Sequence, residues 1–364
     1  MTRCNKCLMP DTLAGSNFDE NGVCSWCRDN YPPYRIKGEQ LLVNKFRGLG
    51  EHKGSADCLV GLSGGKDSTY ALYRLVTHYH LKAEAFIYTH SGTNKFALEN
   101  AQKTCEKLGV TLHQVSLSGD KHKKTFTRYF KSWLAHPTPT SAGMICVACK
   151  HLHLLGSRIA TERKIPFVVW SSTPLEYSPF LAIKYTGDKK HIYKREGLLR
   201  SGIHIGCELL ASPTFAKSLA TTLGTSIPGC LAVFPGSGYL RFKYPQVHPL
   251  MFYAYEKWDP RLILDTITSE LGWKIPEAIK EDWHTDCVFN VFKEYMFQKM
   301  FAVSYTDAFL SNQIRYGYIT RDEAMQKLWE SKSFYAASLK PALKFLDLEY
   351  LMSDIDLSCF EVED

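Results

Sequence analysis

No run of 18 apolar residues occurs in the 364-residue chain, so no segment reads as a membrane-spanning helix. The opening residues Met1-Thr2-Arg3-Cys4 carry no hydrophobic leader core, and the expected compartment is the cytoplasm. The phosphate-loop pattern GxxxxGK followed by Ser or Thr is missing, which excludes the common P-loop ATPases. Basic residues are only in mild excess, 44 Lys and Arg against 37 Asp and Glu, for a net charge of +7. They form no stripe of the kind that tracks a nucleic-acid backbone. Low-complexity sequence is also lacking. With 45% apolar residues, 20 Tyr, 20 Phe and 7 Trp, a sizeable core is expected and disorder is not. The length suits two domains with a small attachment.

Cysteine, by contrast, is abundant: twelve in the chain. In a cytosolic protein that number points to metal or catalysis rather than disulfides. Cys4-x-x-Cys7 and Cys24-x-x-Cys27 have the spacing of a tetrahedral zinc knuckle. Thiolates at i and i+3 can face one ion, and Asp19-Glu20-Asn21-Gly22 reads as the tight turn between them. Four thiolates leave no open position, so the role would be structural. Zinc is the first choice, and spacing alone leaves an iron–sulfur centre open. A third pair, Cys146 and Cys149, opens a helix farther along, where thiol pKa values fall. Cys58, Cys105 and Cys359 read as core or surface residues.

The chain is organised around Cys58-Leu59-Val60-Gly61-Leu62-Ser63-Gly64-Gly65-Lys66-Asp67-Ser68. A short apolar run suits a buried parallel strand. Two glycines then allow a sharp turn and close approach of backbone N–H groups to an anion. A helical pattern begins at Asp67. An anion in this turn would sit at a helix N-terminus, with Lys66 as point charge and Ser63 and Ser68 as donors.

The six residues Ser63–Ser68 resemble the SGGKDS loop of the PP-loop ATP pyrophosphatases, the adenine nucleotide alpha hydrolase superfamily. The resemblance implies cleavage of ATP between its α- and β-phosphates, with AMP passed to a substrate oxygen. Leu62, Ser63, Gly64, Gly65, Lys66, Asp67 and Ser68 would bind ATP. Lys66 and Asp67 carry the catalytic assignment, with Asp67 helping to hold Mg²⁺. Tyr88 and Thr89, ending the second strand, would flank the adenine.

Strand and helix patterns alternate through 83–88, 94–108, 111–115, 125–135, 151–162 and 166–170. That rhythm predicts an α/β fold with a doubly wound parallel sheet, PP-loop or HUP-like, and ligands at the carboxyl ends of the strands. Gly109 reads as a helix stop. Residues 1–35 are expected to form the knuckle, 36–245 the PP-loop domain and 246–364 a helical C-terminal region. Helices are expected over 261–271, 276–283, 288–301 and 307–316, then a capping box at Thr320 and Glu323. The stretch 175–245 is the least readable. Its Lys184, Lys189, Lys190, Lys194 and Arg195 read as a solvated face.

Cys146 and Cys149 resemble the CxxC of tRNA-thiolating PP-loop enzymes, which holds a 4Fe-4S cluster with one later cysteine and leaves one iron for sulfide. Cys207, Cys230 and Cys287 are the candidates for that third ligand, with Cys230 nearest in spacing and Cys287 the alternative. The knuckle with Met9-Pro10-Asp11-Thr12, the SGGKDS loop and Ile314-Arg315-x-Gly317-x-x-Thr320-Arg321-x-Glu323-Ala324 together resemble the N-acetyl sugar amidotransferases. That family implies ammonia from a partner glutaminase as nucleophile. Many of its members lack a CxxC at 146 and 149, which shifts the expectation towards sulfur from a sulfide donor. The primary expectation is therefore adenylation of a carbonyl or amide oxygen followed by its replacement with sulfur. Amide transfer is the alternative, and an inert nucleotide-binding or zinc-adaptor role the third reading. A small-molecule substrate is favoured over tRNA, because the sequence shows no RNA-binding module beyond the knuckle. PP-loop enzymes are commonly homodimers.

Overall fold

A computed structural model describes residues 2–31, 35–48, 54–176, 195–277 and 286–361, with side chains from 202 onward in the fourth stretch. The lysines of the basic cluster at 184–194 and most of the helix expected over 276–283 lie outside that description, and Arg195 opens a helix. Pro276, which is described, is not helical. Among the described residues no helix is long and apolar enough to cross a membrane.

Five strands form one sheet in the order β3-β2-β1-β4-β5, every neighbouring pair parallel. They are β1 (Cys58–Gly61), β2 (Ala83–Tyr88), β3 (Thr111–Val115), β4 (Phe167–Trp170) and β5 (His248–Met251). The helices that matter below are α1 (Lys66–Thr77), α2 (Lys95–Leu108), α3 (Lys121–Ala135), α4 (His151–Glu162), α5 (Arg195–Ala211), α6 (Pro213–Thr221), α7 (Leu223–Leu231), α8 (Pro260–Leu271), α9 (Asn290–Phe301), α10 (Tyr305–Arg315) and α11 (Arg321–Phe345). Gly109 ends α2 at φ +64°, a conformation that favours glycine.

The period of two along the central strands sorts their side chains into two cores. Cys58, Val60 and Leu62, with Phe167 and Val169 of β4, pack against Leu72 and Leu75 of α1 and Ile263 and Ile267 of α8. Leu59, Val168 and Trp170 face the opposite way, onto Ile159 and Ala160 of α4. Apolar strands covered on both faces are what a parallel sheet requires. The sheet extends beyond the expected boundary at 245, because β5 adds itself to β4. Its Pro249 is tolerable at an edge, where no ladder N–H is needed.

β1 pairs with β2 on one side and β4 on the other. The chain therefore reverses its winding between β1 and β4, and the loops after both strands open into that crevice.

The cysteine knuckle is not a free attachment. Cys4, Cys7, Met9 and Trp26 share one core with Phe126 and Phe130 of α3, Phe292 and Met296 of α9 and Leu339 and Leu343 of α11. Arg3 pairs with the buried Asp307 of α10 at 2.9 Å.

Candidate active site

The loop between β1 and α1 is braced from within. The Ser63 N–H donates to Ser68 Oγ at 3.1 Å and the Gly65 N–H to Ser63 Oγ at 3.2 Å. Ser68 Oγ donates in turn to the Gly65 carbonyl at 3.1 Å. Gly64 has φ +81°, and a Cβ there would lie 1.9 Å from the Ala97 carbonyl oxygen of α2. Only glycine satisfies both conditions. The Trp273 indole also donates to the Gly64 carbonyl at 2.9 Å. Lys66 is buried at 2% exposure in the first turn of α1. The first-turn N–H groups of α1 follow directly on the Ser63–Gly65 turn, an arrangement suited to polyphosphate. Leu62 is a core residue whose N–H joins β2 at Phe86.

Glu176 closes the opposite wall, and sequence reading missed it. It follows β4 in a short turn, with its N–H bonded to Thr173 O at 3.1 Å. Asn312 of α10 donates to the neighbouring Leu175 carbonyl at 2.6 Å. Burial first, then the charge of Asp67, pushes the Glu176 carboxyl up to about 8, although Lys66 and Lys293 pull against that. Two carboxylates and a buried lysine thus share the crevice. The sequence signal was an acid just past the end of β4.

The second constellation lies at the same end of the sheet. The loop after β2 holds a segment from far along the chain: Asn94 N–H donates to Asp286 O at 3.0 Å and Val288 N–H to Gly92 O at 2.9 Å. An antiparallel bridge between Thr93 and Cys287 results. Cys287 Sγ lies 3.8 Å from His90 Nε2. The His90 ring stacks on His122 at 3.8 Å between centroids. His122 Nε2 is 3.5 Å from Cys149 Sγ, and its Nδ1 is hydrogen-bonded to the Tyr88 hydroxyl at 2.9 Å. Burial lowers His90 to about 4 and His122 to about 2, so both rings are neutral at pH 7.

Cys146 and Cys149 occupy a turn before α4 rather than the helix itself, with Cys149 N–H on Cys146 O at 3.1 Å. A bond from Cys149 lowers Cys146 to about 6, against burial and with help from Lys293 and Lys150. Cys149 is raised in consequence by Cys146 and by burial, with Cys287 adding to it. Burial, Asp286 and Cys146 raise Cys287.

The structure therefore groups Cys146, Cys149 and Cys287, and sets Cys230 apart. Cys230 is exposed on α7, its Sγ 3.7 Å from Met144 Sδ. Spacing favoured Cys230; the fold favours Cys287, because the loop after β2 carries it in. Cys207 is exposed on α5. Tyr88 turns its hydroxyl towards the cysteines, and Thr89 is buried with its N–H on Val115 O.

The N-terminal knuckle brings Cys4, Cys7, Cys24 and Cys27 within 4.8 Å of one another. Cys4 and Cys27 sulfurs are 3.9 Å apart, and Cys7 and Cys24 3.6 Å. Four thiolates about 2.3 Å from one tetrahedral ion would be about 3.8 Å apart. The Lys6 and Cys24 N–H groups point at Cys4 Sγ at 3.4 and 3.3 Å, as thiolate charge requires. Bonds from Cys24 and Cys27, with the charge of Arg315, hold Cys7 at about 7. Arg315 Nη1 reaches Cys27 Sγ at 3.8 Å and Arg321 Nε the Cys4 carbonyl at 3.3 Å. The C-terminal Arg motif is thus the clasp of the knuckle. Among the described residues this is the group of three or more Cys, His, Asp or Glu donors packed that tightly. The cysteines around His90 and His122 are spread wider.

Residues 56–159 match the family described as tRNA methyl transferase HUP domain. This is a PP-loop domain of the HUP type. Over 97 residues the chain is 30% identical to the tRNA-specific 2-thiouridylase MnmA of Helicobacter pylori, a match covering 26% of this chain and 27% of that one. The chain thus spans about a quarter of the length of the curated relatives it matches. Among solved structures, the NMN synthetase from Francisella tularensis superposes with a TM-score of 0.37 at 11% identity, covering 87% of this chain and 94% of that one. The U34-tRNA thiolase NcsA from Methanococcus maripaludis, solved with its 4Fe-4S cluster, gives 0.32 at 15% identity, covering 100% and 92%. The matched stretch contains β1, β2, β3 and the Ser63–Ser68 loop described above, and β4 and β5 lie beyond it.

Proposed function

We propose that the protein activates a carbonyl or amide oxygen of a small-molecule substrate with ATP and replaces that oxygen with sulfur. The observation that carries this reading is the placement of Cys146, Cys149 and Cys287 at the same edge of the sheet as the Ser63–Ser68 loop. Gly64, Gly65, Lys66 and Ser68 hold the β- and γ-phosphates and stabilise the pyrophosphate leaving group. Asp67 and Glu176 would hold Mg²⁺, whose charge would offset that of the phosphates. The raised carboxyl of Glu176 beside Asp67 fits a site that is completed by a cation. The backbone at Tyr88 and Thr89 borders the adenine.

Chemistry proceeds in two displacements. The substrate oxygen attacks the α-phosphorus, and pyrophosphate departs with the bond electrons. Hydrosulfide then attacks the activated carbon, the C–O bond to AMP breaks with its electron pair going to AMP, and the hydrosulfide proton passes to solvent. A 4Fe-4S cluster on Cys146, Cys149 and Cys287 would supply an open iron for sulfide. Three thiols, wider apart than one ion needs, fit that group. His90 and His122 orient two of these thiols. Zn²⁺ suits the knuckle, where the sulfur spacing matches a single tetrahedral ion.

The matched relatives are named for tRNA thiolation, and the match lies in the ATP domain. It supports sulfur chemistry and leaves the acceptor to experiment. Metal and acid-labile sulfide analysis of anaerobically purified protein tests the reading. Iron with sulfide in excess of the knuckle's zinc is expected. Zinc alone, with product formed from ammonia, would replace sulfur insertion by amide transfer.

A further inference from the structure

A pocket of about 230 Å³ lies between α8, α10, the turn that follows α10, and the first half of α11. It includes no residue of the Ser63–Ser68 loop or of the cysteine group, and the chemistry proposed above uses none of its side chains. Leu264, Phe309 and Tyr318 give it apolar walls. Three polar residues interrupt that surface: Thr306, Gln313 and Ser331, which are 3%, 7% and 3% exposed. The Thr306 hydroxyl has no hydrogen-bond partner. Among the described residues, the Gln313 amide and the Ser331 hydroxyl have none either. Burying a polar group without a partner is costly, and such groups are few in a folded chain. Three around one cavity mark a surface that is satisfied by what enters it.

We propose that this pocket binds a small planar ring carrying an uncharged carboxamide or lactam, with the Gln313 amide as its main polar contact. A side-chain amide offers both an acceptor oxygen and N–H donors. It can therefore meet another amide edge to edge, with a hydrogen bond in each direction. The rings of Phe309 and Tyr318 supply aromatic surface for the body of the ligand. Charge argues against an ionic ligand. The charged residues that line the pocket, Arg261, Lys327, Glu323 and Glu330, cancel in sign, and none of them is buried. Arg261 and Glu323 already pair at 3.7 Å. Size agrees as well: the volume is that of about eight waters, near the small end of ligand pockets. The inference stands apart from the sulfur-transfer reading, since neither a cluster nor an acceptor enters it.

The test is calorimetric titration of the full-length protein with benzamide, and with benzoate as its charged counterpart of the same shape. Benzamide should bind with a dissociation constant on the order of 1 mM, and benzoate about tenfold more weakly or worse. That comparison needs no variant to fold. Gln313→Leu removes a buried amide that has no partner, so it should melt no lower than wild type. It should also bind MgATP as wild type does, yet bind benzamide about tenfold more weakly. Gln313→Met, closer in shape to the native side chain, should lose benzamide to the same extent. Benzamide that fails to bind at about tenfold above the expected constant, or benzoate that binds as tightly, would overturn the proposal. So would a folded Gln313→Leu protein with wild-type affinity for benzamide. Each of these results would leave the sulfur-transfer reading standing.

Discussion

The Trp258 indole Nε1 donates to Asp67 Oδ1 at 2.7 Å, and the Tyr253 hydroxyl donates to the Asp67 carbonyl at 3.1 Å. Two fully buried aromatics from beyond the fifth strand thus set the orientation of the loop's acidic residue. Trp258→Phe keeps the ring packed against Phe309 and Tyr318 but loses the bond. A hydrogen bond to a charged group is worth about 1.5–3 kcal/mol. MgATP binding should weaken about tenfold or more, with metal-free ATP little affected. Calorimetric titration in both conditions checks this, and equal losses would argue against an effect through Mg²⁺.

Gly64→Ala is expected to fail at the loop itself. A Cβ 1.9 Å from the Ala97 carbonyl must push α2 away, and φ +81° is strained for alanine. Strain of this kind costs about 1–3 kcal/mol. The melting temperature should fall and ATP should cease to raise it. A variant that melts like wild type and still responds to ATP would show that the loop is built differently.

Loss of the knuckle ion should destabilise more than the N-terminus. Cys4, Cys7 and Cys24 lie in one core with α3, α9 and α11, and Arg315 and Arg321 connect it to the C-terminal helices. Cys24→Ser, or a strong chelator, should release one zinc per chain and expose amides of α9–α11 to hydrogen exchange. Exchange confined to residues before 31 would make the knuckle an independent attachment.

Glu84 supplies a pH test away from the site. Burial by itself would raise its carboxyl, but bonds from Arg163, Ser55 and His113 outweigh that and hold it at about 2, against a reference value of 4.5. Its folded pKa is depressed, so its stabilisation is complete above pH 4.5 and is lost as pH falls through about 2. Glu84→Gln should flatten the melting-temperature curve across that window and lower it at neutral pH. An unchanged slope would mean that the Arg163 and His113 contacts at 2.5–2.8 Å contribute nothing.

Strong local patterns were legible in the sequence. The strands at 83–88, 111–115 and 166–170, the helix at 151–162 and the Thr320–Glu323 capping box stand where patterning puts them, since each combines apolar periodicity with its own stop signal. The turn at Gly64 was legible for the same reason. The fifth strand was not, because His248-Pro249-Leu250-Met251 is short, contains a proline, and becomes a strand by pairing with β4.

What sequence could not give was convergence. Glu176, Trp258 and His122 are isolated residues of ordinary type, and His122 sits in a lysine-rich stretch that reads as solvated. Only the reversal of winding between β1 and β4 and the bridge from Thr93 to Cys287 bring them to one place. Arg315 and Arg321 were legible as a motif, but their partner, a knuckle some 300 residues away in sequence, was not.

The most direct test of the whole account is the fate of the nucleotide. Protein incubated with ATP labelled at the α-phosphate, Mg²⁺, sulfide and a candidate acceptor should release AMP and pyrophosphate in equal amounts, and Lys66→Ala should abolish both. ADP and orthophosphate as products would contradict cleavage at the inner bond, and with it the role assigned to the Ser63–Ser68 loop.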